Sequence, residues 1–315
     1  MKRRKIGSVE VSIAGVGCNN FGRVIDASKT AEVVAAALDE GVTLFDTADL
    51  YGDGLSEEYL GRALQGRRDD AVIATKFGMM APPAGLNPGS AEWTVRACEN
   101  SLRRLGTDRI DLYILHQPDP ATPVVETLRA LGGLVSAGKV REIGCSNFTV
   151  PQLVEASKAA GGLGMKGFAS VQNECSLVHA DDLEDVIPEC VSLGMAYTPF
   201  FPLASGLLTG KYSRSAEPPE GTRLARATPE RRSRYANDRN FDLVERLGRF
   251  AGARGHTLHE LALSWLASLP AVAAVIPGAT SAAQARQNAK ATVAWTLSAE
   301  EMLQVQALLG GPSTA

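Results

Sequence analysis

The feature that most restricts how this 315-residue chain can fold is a repeated alternation of short apolar runs with longer amphipathic ones. Eight short runs occur, at Ile13–Gly17, Val42–Asp46, Ala71–Lys76, Ile110–His116, Glu142–Ser146, Ser170–Asn173, Ala196–Phe200 and Ala274–Pro277. Several, such as AVIAT and DLYIL, are almost continuously apolar, the pattern of strands covered on both faces. Stretches with helical spacing lie between them. In Thr30–Glu40, Val33, Val34, Ala37 and Leu38 share one face, and Gly41 follows as a stop. Ser56, followed by Glu58 and Tyr59, reads as a capped helix start leading to Leu60 and Leu64. Ser90–Leu105, Pro123–Ala137, Pro151–Ala160, Asp181–Gly194, Asn240–Arg254 and Ser281–Ala291 continue the series. Strand and helix in alternation with short links make a parallel sheet, and eight such units close it into a (β/α)8 TIM barrel of the α/β class. An open doubly wound sheet is the alternative. The pattern gives one domain over residues 1–315, an N-terminal β-hairpin turning at Gly7–Ser8 against the barrel floor, and extra helices at the C-terminus.

Composition narrows the function classes. Hydrophobic residues make up 45% of the chain, enough for a large core, and a net charge of −3 gives no reason to expect a nucleic-acid partner. The basic start, MKRRK, is followed by no apolar stretch of the secretory kind. The longest apolar segment, around Leu261 to Ile276, is interrupted by Ser264, Ser268 and Pro270, so no membrane span is expected. A cytoplasmic protein is the expectation. Five cysteines, an odd number at wide spacings without C-x-x-C, suggest neither a disulfide framework nor a metal site. A monomer is the simplest expectation, and a homo-oligomer stays open.

Two glycine motifs do not carry chemistry. Gly162, Gly164 and Gly167 spell G-x-G-x-x-G, but after a helix and before a strand, so they read as a loop. Gly206, Gly210 and Lys211 fall one residue short of a phosphate loop. His256 and His259 read as surface or helix-packing histidines. Residues 211–239 are polar, proline-containing and without periodicity, a long loop at the barrel end that carries active sites.

The informative residues sit at strand ends. Asp46 ends the second run and Tyr51 follows it, Lys76 ends the third, and His116 ends the fourth. Lysine and aspartate are almost never fully buried unless paired, so this set points into the barrel mouth and its members need one another.

These residues lie in segments that resemble the aldo-keto reductase superfamily. FDTADLYG carries the D-T-A-x-x-Y-G signature, ATKFG the lysine and DLYILHQPDP the histidine. GKVREIGCSNF, VQNE, FPLASGLLTGKY and VIPGATSAAQARQN are similar to further family segments in the same order, from about Val11 to Leu309. The resemblance implies a catalytic tetrad of Asp46, Tyr51, Lys76 and His116. Tyr51 would protonate the alkoxide left by hydride delivery to a carbonyl. Lys76 would ease that donation, Asp46 would orient Lys76, and neutral His116 would bond the carbonyl oxygen. It also implies a nicotinamide cofactor, NADPH, with Ser146, Asn147 and Gln172 on the carboxamide and Phe200 stacked on the ring. Leu203, Ser205, Gly206, Leu208 and Lys211 would run along the pyrophosphate, with Arg223 pairing to phosphate. Taken singly, Ser146–Asn147 also suit a helix cap, and Gln172 a backbone partner inside the barrel.

The adenosine end departs from the commonest pattern. Gly278 and Gln284 stand where many members place lysine and arginine. With Thr280 and Asn288, they resemble instead the potassium-channel β-subunit branch, which also has the long loop. Gln287 replaces an acidic residue. NADPH is favoured and NADH is the alternative. Asn19 and Phe21, with Tyr51 and His116, are expected to line a pocket for a polar carbonyl substrate. The chemistry implied is NAD(P)H-dependent reduction of aldehydes or ketones. The alternatives are a sugar or aldose dehydrogenase, which Asn19 and Asn20 would suit, and a non-catalytic NADPH-sensing protein.

Overall fold

The computed structural model describes residues 1–310. It opens with β1 (Arg3–Ile6) and β2 (Val9–Ser12), an antiparallel pair with Ile6 opposite Val9. Their turn needs a left-handed residue, and Gly7 supplies it at φ 57°. A side chain at Gly7 would also run into the Glu142 carboxylate, which accepts a hydrogen bond from Ser8 N at 2.7 Å. Ile6, Val9 and Val11 pack against Leu44, Leu112 and Ile114, so the hairpin closes the barrel floor as its sequence predicts.

Seven parallel strands follow: β3 (Gly15–Gly17), β4 (Leu44–Asp46), β5 (Val72–Phe77), β6 (Ile110–Leu115), β7 (Val140–Ser146), β8 (Ser170–Gln172) and β9 (Ala196–Tyr197). They are hydrogen-bonded in chain order, each within a predicted run. Side chains alternate between two cores. Along β6, Leu112 and Ile114 face the barrel interior while Tyr113 and Leu115 face the helices.

The eighth run closes the ring without forming a regular strand. Val272 bridges Tyr197, Val275 bridges Ala14, and Gly278 bridges Gly17, all in parallel sense. Val275 N donates to Ile13 O and Gly15 N to Val275 O, both at 2.8 Å. Pro277 has no N–H to give, so at this stave the ladder is thin. The seam is tight: a Cβ on Gly17 would stand 2.9 Å from Ile276 O.

The helices are α1 (Ala27–Asp39), α2 (Leu55–Ala63), α3 (Ala91–Leu105), α4 (Val124–Ser136), α5 (Val150–Gly162) and α6 (Val186–Leu193). After β9 come α7 (Pro229–Tyr235), α8 (Asp238–Gly252), α9 (Leu258–Ser268), α10 (Ala282–Val293) and α11 (Ala299–Leu309). Their starts are chemically marked. Asp26 caps α1, Ser90 caps α3, and Thr149 and Thr257 form capping boxes with Gln152 and Glu260. On α1, Val33 and Val34 are fully buried, each contributing about 1.5–3 kcal/mol relative to exposure. No described helix is long and apolar enough to cross a membrane. The five cysteines are free and buried.

Several local expectations are corrected. Ser56 does not cap α2. Gly54 precedes that helix, and the buried Ser56 Oγ bonds Thr47 Oγ1 at 2.8 Å and Cys18 O at 2.9 Å instead. Ser146 and Asn147 do not cap α5, because Thr149 does. Residues 211–239 are not structureless. Thr228 caps α7 with Pro229 in its first turn, and Glu174 anchors that helix, accepting from Tyr235 Oη and Arg234 Nη2, both at 2.7 Å.

Candidate active site

Parallel strands bring their C-terminal ends to one rim, and there the four strand-end residues meet. Asp46 closes β4, Lys76 lies in β5, and His116 follows β6, its N–H bonded to Phe77 O at 2.8 Å. Tyr51 is carried on a turn in which Gly52, Asp53 and Gly54 all have positive φ. Gly52 is required twice over, since a Cβ there would stand 3.1 Å from Phe21 O.

Lys76 is completely buried and its ammonium is fully engaged. Nζ donates to Asp46 Oδ2 at 2.7 Å, to Thr47 O at 2.8 Å and to Tyr51 Oη at 3.4 Å. The second Asp46 oxygen accepts from Gln172 Nε2 at 2.9 Å, across the barrel. Sequence patterning did not offer that link, because the two residues are 126 apart in the chain. Gln172 therefore bonds a side chain of the tetrad rather than backbone groups.

Electrostatics follow from this arrangement. Burial alone would strip the proton from Lys76; the Asp46 carboxylate and the Tyr51 oxygen outweigh it and hold the ammonium above its usual range. Burial also raises Tyr51, and the Lys76 charge only partly offsets this, so Tyr51 rests as a protonated donor. The phenol that Lys76 was expected to acidify is thus kept neutral until its proton has somewhere to go. Burial, then the Lys76 charge, push His116 well below the usual imidazole value. It is neutral at physiological pH, and its buried Nδ1 has no partner among the described residues. The His116 and Tyr51 rings meet edge to face at 5.9 Å.

The rim opens into a cavity of about 1320 Å³. Asn19, Tyr51 and His116 line one end, and Ser146, Asn147, Gln172 and Phe200 line the middle. Leu203, Ser205, Gly206, Lys211 and Arg223 form one wall, and Gly278, Thr280, Gln284, Gln287 and Asn288 the far end. Two expected lining residues are elsewhere. Phe21 is fully buried in the helix-layer core, and Asn20, Gly22 and Arg23 face the cavity in its place. Leu208 is likewise buried in the core, because the short 3-10 turn over residues 204–209 rotates it inward.

The lining backbone is strained. Asn147, Phe201, Ala204 and Ser205 all have φ between 47° and 61° without being glycine, a concentration typical of functional sites. Asn147 Nδ2 bonds His116 O at 2.9 Å, and Ser146 Oγ bonds Gln172 O at 2.7 Å. At the far end, Thr280 N donates to Gln284 Oε1 at 2.8 Å, leaving the Gln284 amide N–H groups as donors. Asn288 bonds Gly278 O at 3.2 Å and His259 Nε2 at 3.0 Å, so His259 is a packing histidine. His256 stacks on Trp295 at 4.4 Å. Spacing did not disclose Phe201, Arg226 or Arg231; the only signal for the arginines was the basic tract in the long loop.

The family model described as "Aldo/keto reductase family" matches residues 14–309, and the chain belongs to that family. A probable voltage-gated potassium channel subunit beta from Arabidopsis thaliana is 34% identical over 275 residues, 86% of this chain and 84% of that one. Aldo-keto reductase YhdN of Bacillus subtilis (strain 168) is 32% identical over 310 residues, 96% and 91% of the two chains. Among solved structures, aldo-keto reductase AKR11C1 from Bacillus halodurans (holo form) superposes with a TM-score of 0.81 at 31% identity, covering 98% of this chain and 96% of that one. An aldo-keto reductase from Klebsiella pneumoniae in complex with NADPH gives 0.75 at 30% identity, covering 99% and 97%.

Proposed function

We propose that the protein reduces aldehydes or ketones to alcohols with NADPH, using Tyr51 as the proton donor. The observation that carries this is the buried relay from Tyr51 Oη to Lys76 Nζ, with Lys76 clamped by Asp46 at 2.7 Å. The cavity suits a dinucleotide with a small substrate beside it. It is larger than the roughly 300–1,000 Å³ of ordinary small-ligand pockets. Ser205 Oγ on its wall is buried without a partner, and Lys211 is in no ion pair among the described residues. Ser146, Asn147 and Gln172 would hold the carboxamide, Phe200 would lie against the ring, and Lys211 and Arg223 would take phosphate. Thr280, Gln284, Gln287 and Asn288 offer mainly neutral donors to the adenosine end, so discrimination between NADPH and NADH is modest. When bound, the cofactor supplies a hydride to the carbonyl carbon.

The chain's own residues handle the proton. Tyr51 Oη gives its proton to the carbonyl oxygen as negative charge develops there. Lys76, 3.4 Å away, stabilises the phenolate left behind, and Asp46 keeps Lys76 charged and aimed. Neutral His116 donates to the same oxygen and fixes the face presented.

The test mixes protein, NADPH and 4-nitrobenzaldehyde and follows loss of NADPH absorbance. Tyr51→Phe removes the phenolic oxygen and keeps the ring, so the rate falls about 10²–10⁴-fold. Equal turnover by both proteins would refute Tyr51 as the acid. NADPH binding without turnover of any carbonyl would point to a sensing role.

A further inference from the structure

The wall opposite the strand ends carries more positive charge than a dinucleotide accounts for. Arg23, Arg223, Arg226 and Arg231 line the cavity, and none forms an ion pair among the described residues. The neighbouring arginines of the same loop do find carboxylates: Arg214 pairs with Asp238, Arg232 with Glu217, and Arg234 with Glu174. Of the carboxylates on the lining, Asp46 is taken by Lys76, while Asp53 and Glu220 are in no ion pair.

The arginines are built into place. Phe201, in its left-handed conformation, carries the Arg223 guanidinium 4.7 Å from its ring centre and the Arg231 guanidinium 4.8 Å away. Both arginines are half-buried. The Glu174 anchor fixes α7, and with it Arg231. Arg23 follows Gly22, whose backbone packs on Gly52 next to Tyr51. Crowding is evident in Arg223, lowered to about 10 by burial and then by Arg231, with Arg23 adding to it. Two half-dry guanidiniums on one ring, with a third close by, await an anion.

Phosphate of the cofactor answers only part of this charge. Lys211 acts on His259, which bonds Asn288, so it belongs to the adenosine end. Arg223 lies between the two ends. Arg23 and Arg231 remain, in the same cavity as Tyr51 and His116. We propose that the carbonyl substrate itself bears an anionic oxygen group, held by Arg23 and Arg231 while its carbonyl faces Tyr51. This rests on the reductase reading above and specifies its substrate class.

The test compares 4-carboxybenzaldehyde with 4-nitrobenzaldehyde in the NADPH assay, for wild type, Arg23→Met and Arg231→Met. Methionine keeps an unbranched apolar stem and removes the charge. For wild type at low salt, kcat/KM is about tenfold or more higher for the carboxylate, and the advantage shrinks as salt is added. In each variant the ratio drops toward one, through KM, while NADPH affinity read by fluorescence quenching is unchanged. 4-Formylphenyl phosphate in the same assay separates a carboxylate preference from a phosphate one. A wild-type ratio at or below one for both anions overturns the proposal. So does a variant that instead weakens NADPH binding, since its arginine then serves the cofactor. If no aldehyde is reduced, the reductase reading fails by itself, and benzoate against benzamide on the NADP⁺-loaded protein still decides the site. Tighter benzoate binding that both variants abolish supports it, and equal binding overturns it.

Discussion

Asp46→Asn isolates the charge that holds the tetrad together. The substitution keeps the shape of the side chain but leaves Lys76, fully buried, without a counter-ion and with a donor-only ammonium facing a neutral amide. Gln172 Nε2 and Lys76 Nζ then compete for one carbonyl oxygen where two carboxylate oxygens served them before. Removing one partner of a buried ion pair costs about 3–5 kcal/mol. For 315 residues the unfolding entropy is about 0.7 kcal/mol per degree, so the melting temperature drops by about 5–8 °C. Circular dichroism on the cofactor-free protein measures this. The decisive comparison is the double variant Asp46→Leu, Lys76→Met, in which no charge stays buried. Its melting temperature returns close to wild type, because apolar replacement of a buried pair is often neutral, yet reductase activity stays lost. An Asp46→Asn protein melting within a degree of wild type would refute the claim that this pair is dry and tightly coupled. A double variant no more stable than the single would do the same.

Two further predictions concern stability away from the reacting groups. Asp49 is buried with both carboxylate oxygens unbonded. Burial and then Glu57 raise it to about 7, against the pull of Arg104 and Lys76. A raised carboxyl stabilises the fold below its unfolded value of about 4 and loses that contribution as pH climbs to 7, a loss of roughly 4 kcal/mol. Asp49→Asn therefore melts near wild type at pH 4.5 and several degrees above it at pH 8; parallel melting curves at both pH values would sink the idea. Gly61 sits in α2 where an added Cβ would fall inside contact distance of the Leu105 carbonyl, which is backbone and cannot step aside. Alanine is favoured over glycine within a helix by about 1 kcal/mol, but the forced separation of α2 from α3 outweighs that. Gly61→Ala lowers the urea midpoint by an equivalent of about 1–3 kcal/mol; a raised midpoint would show that the helices part freely.

The barrel was readable because strands covered on both faces have an apolar signature that survives without any alignment, and because chain order fixes which strands adjoin. The catalytic rim was readable for a related reason: a lysine or histidine directly after such a run has only one place to go. What escaped depends on direction rather than pattern. Phe21 and Leu208 lie in irregular segments, where neither a period of two nor of 3.6 tells which way a side chain turns. Ser56 looked like a cap, yet its hydroxyl was needed between Thr47 and the Cys18 carbonyl. Helix α7 has one fully buried residue, Tyr235, so it shows no apolar stripe, although Thr228–Pro229 marked its start. The Gln172–Asp46 bond spans the barrel and has no local correlate. The eighth stave was placed correctly, but its proline and small residues thin the ladder in a way that hydrophobicity does not report.

Tyr51, Lys76 and His116 depend on a hydrogen-bonded ladder in which every strand constrains its neighbour, whereas the facing wall belongs to residues 220–231, a stretch that no strand requires. The two halves of the cavity are therefore inherited under different rules. Substitutions and insertions in the wall leave the ladder intact, so lineages descended from this chain can exchange one clientele for another while the reaction passes down unaltered. Codons for the strand ends have no such freedom, since changing one disturbs its neighbours on both sides.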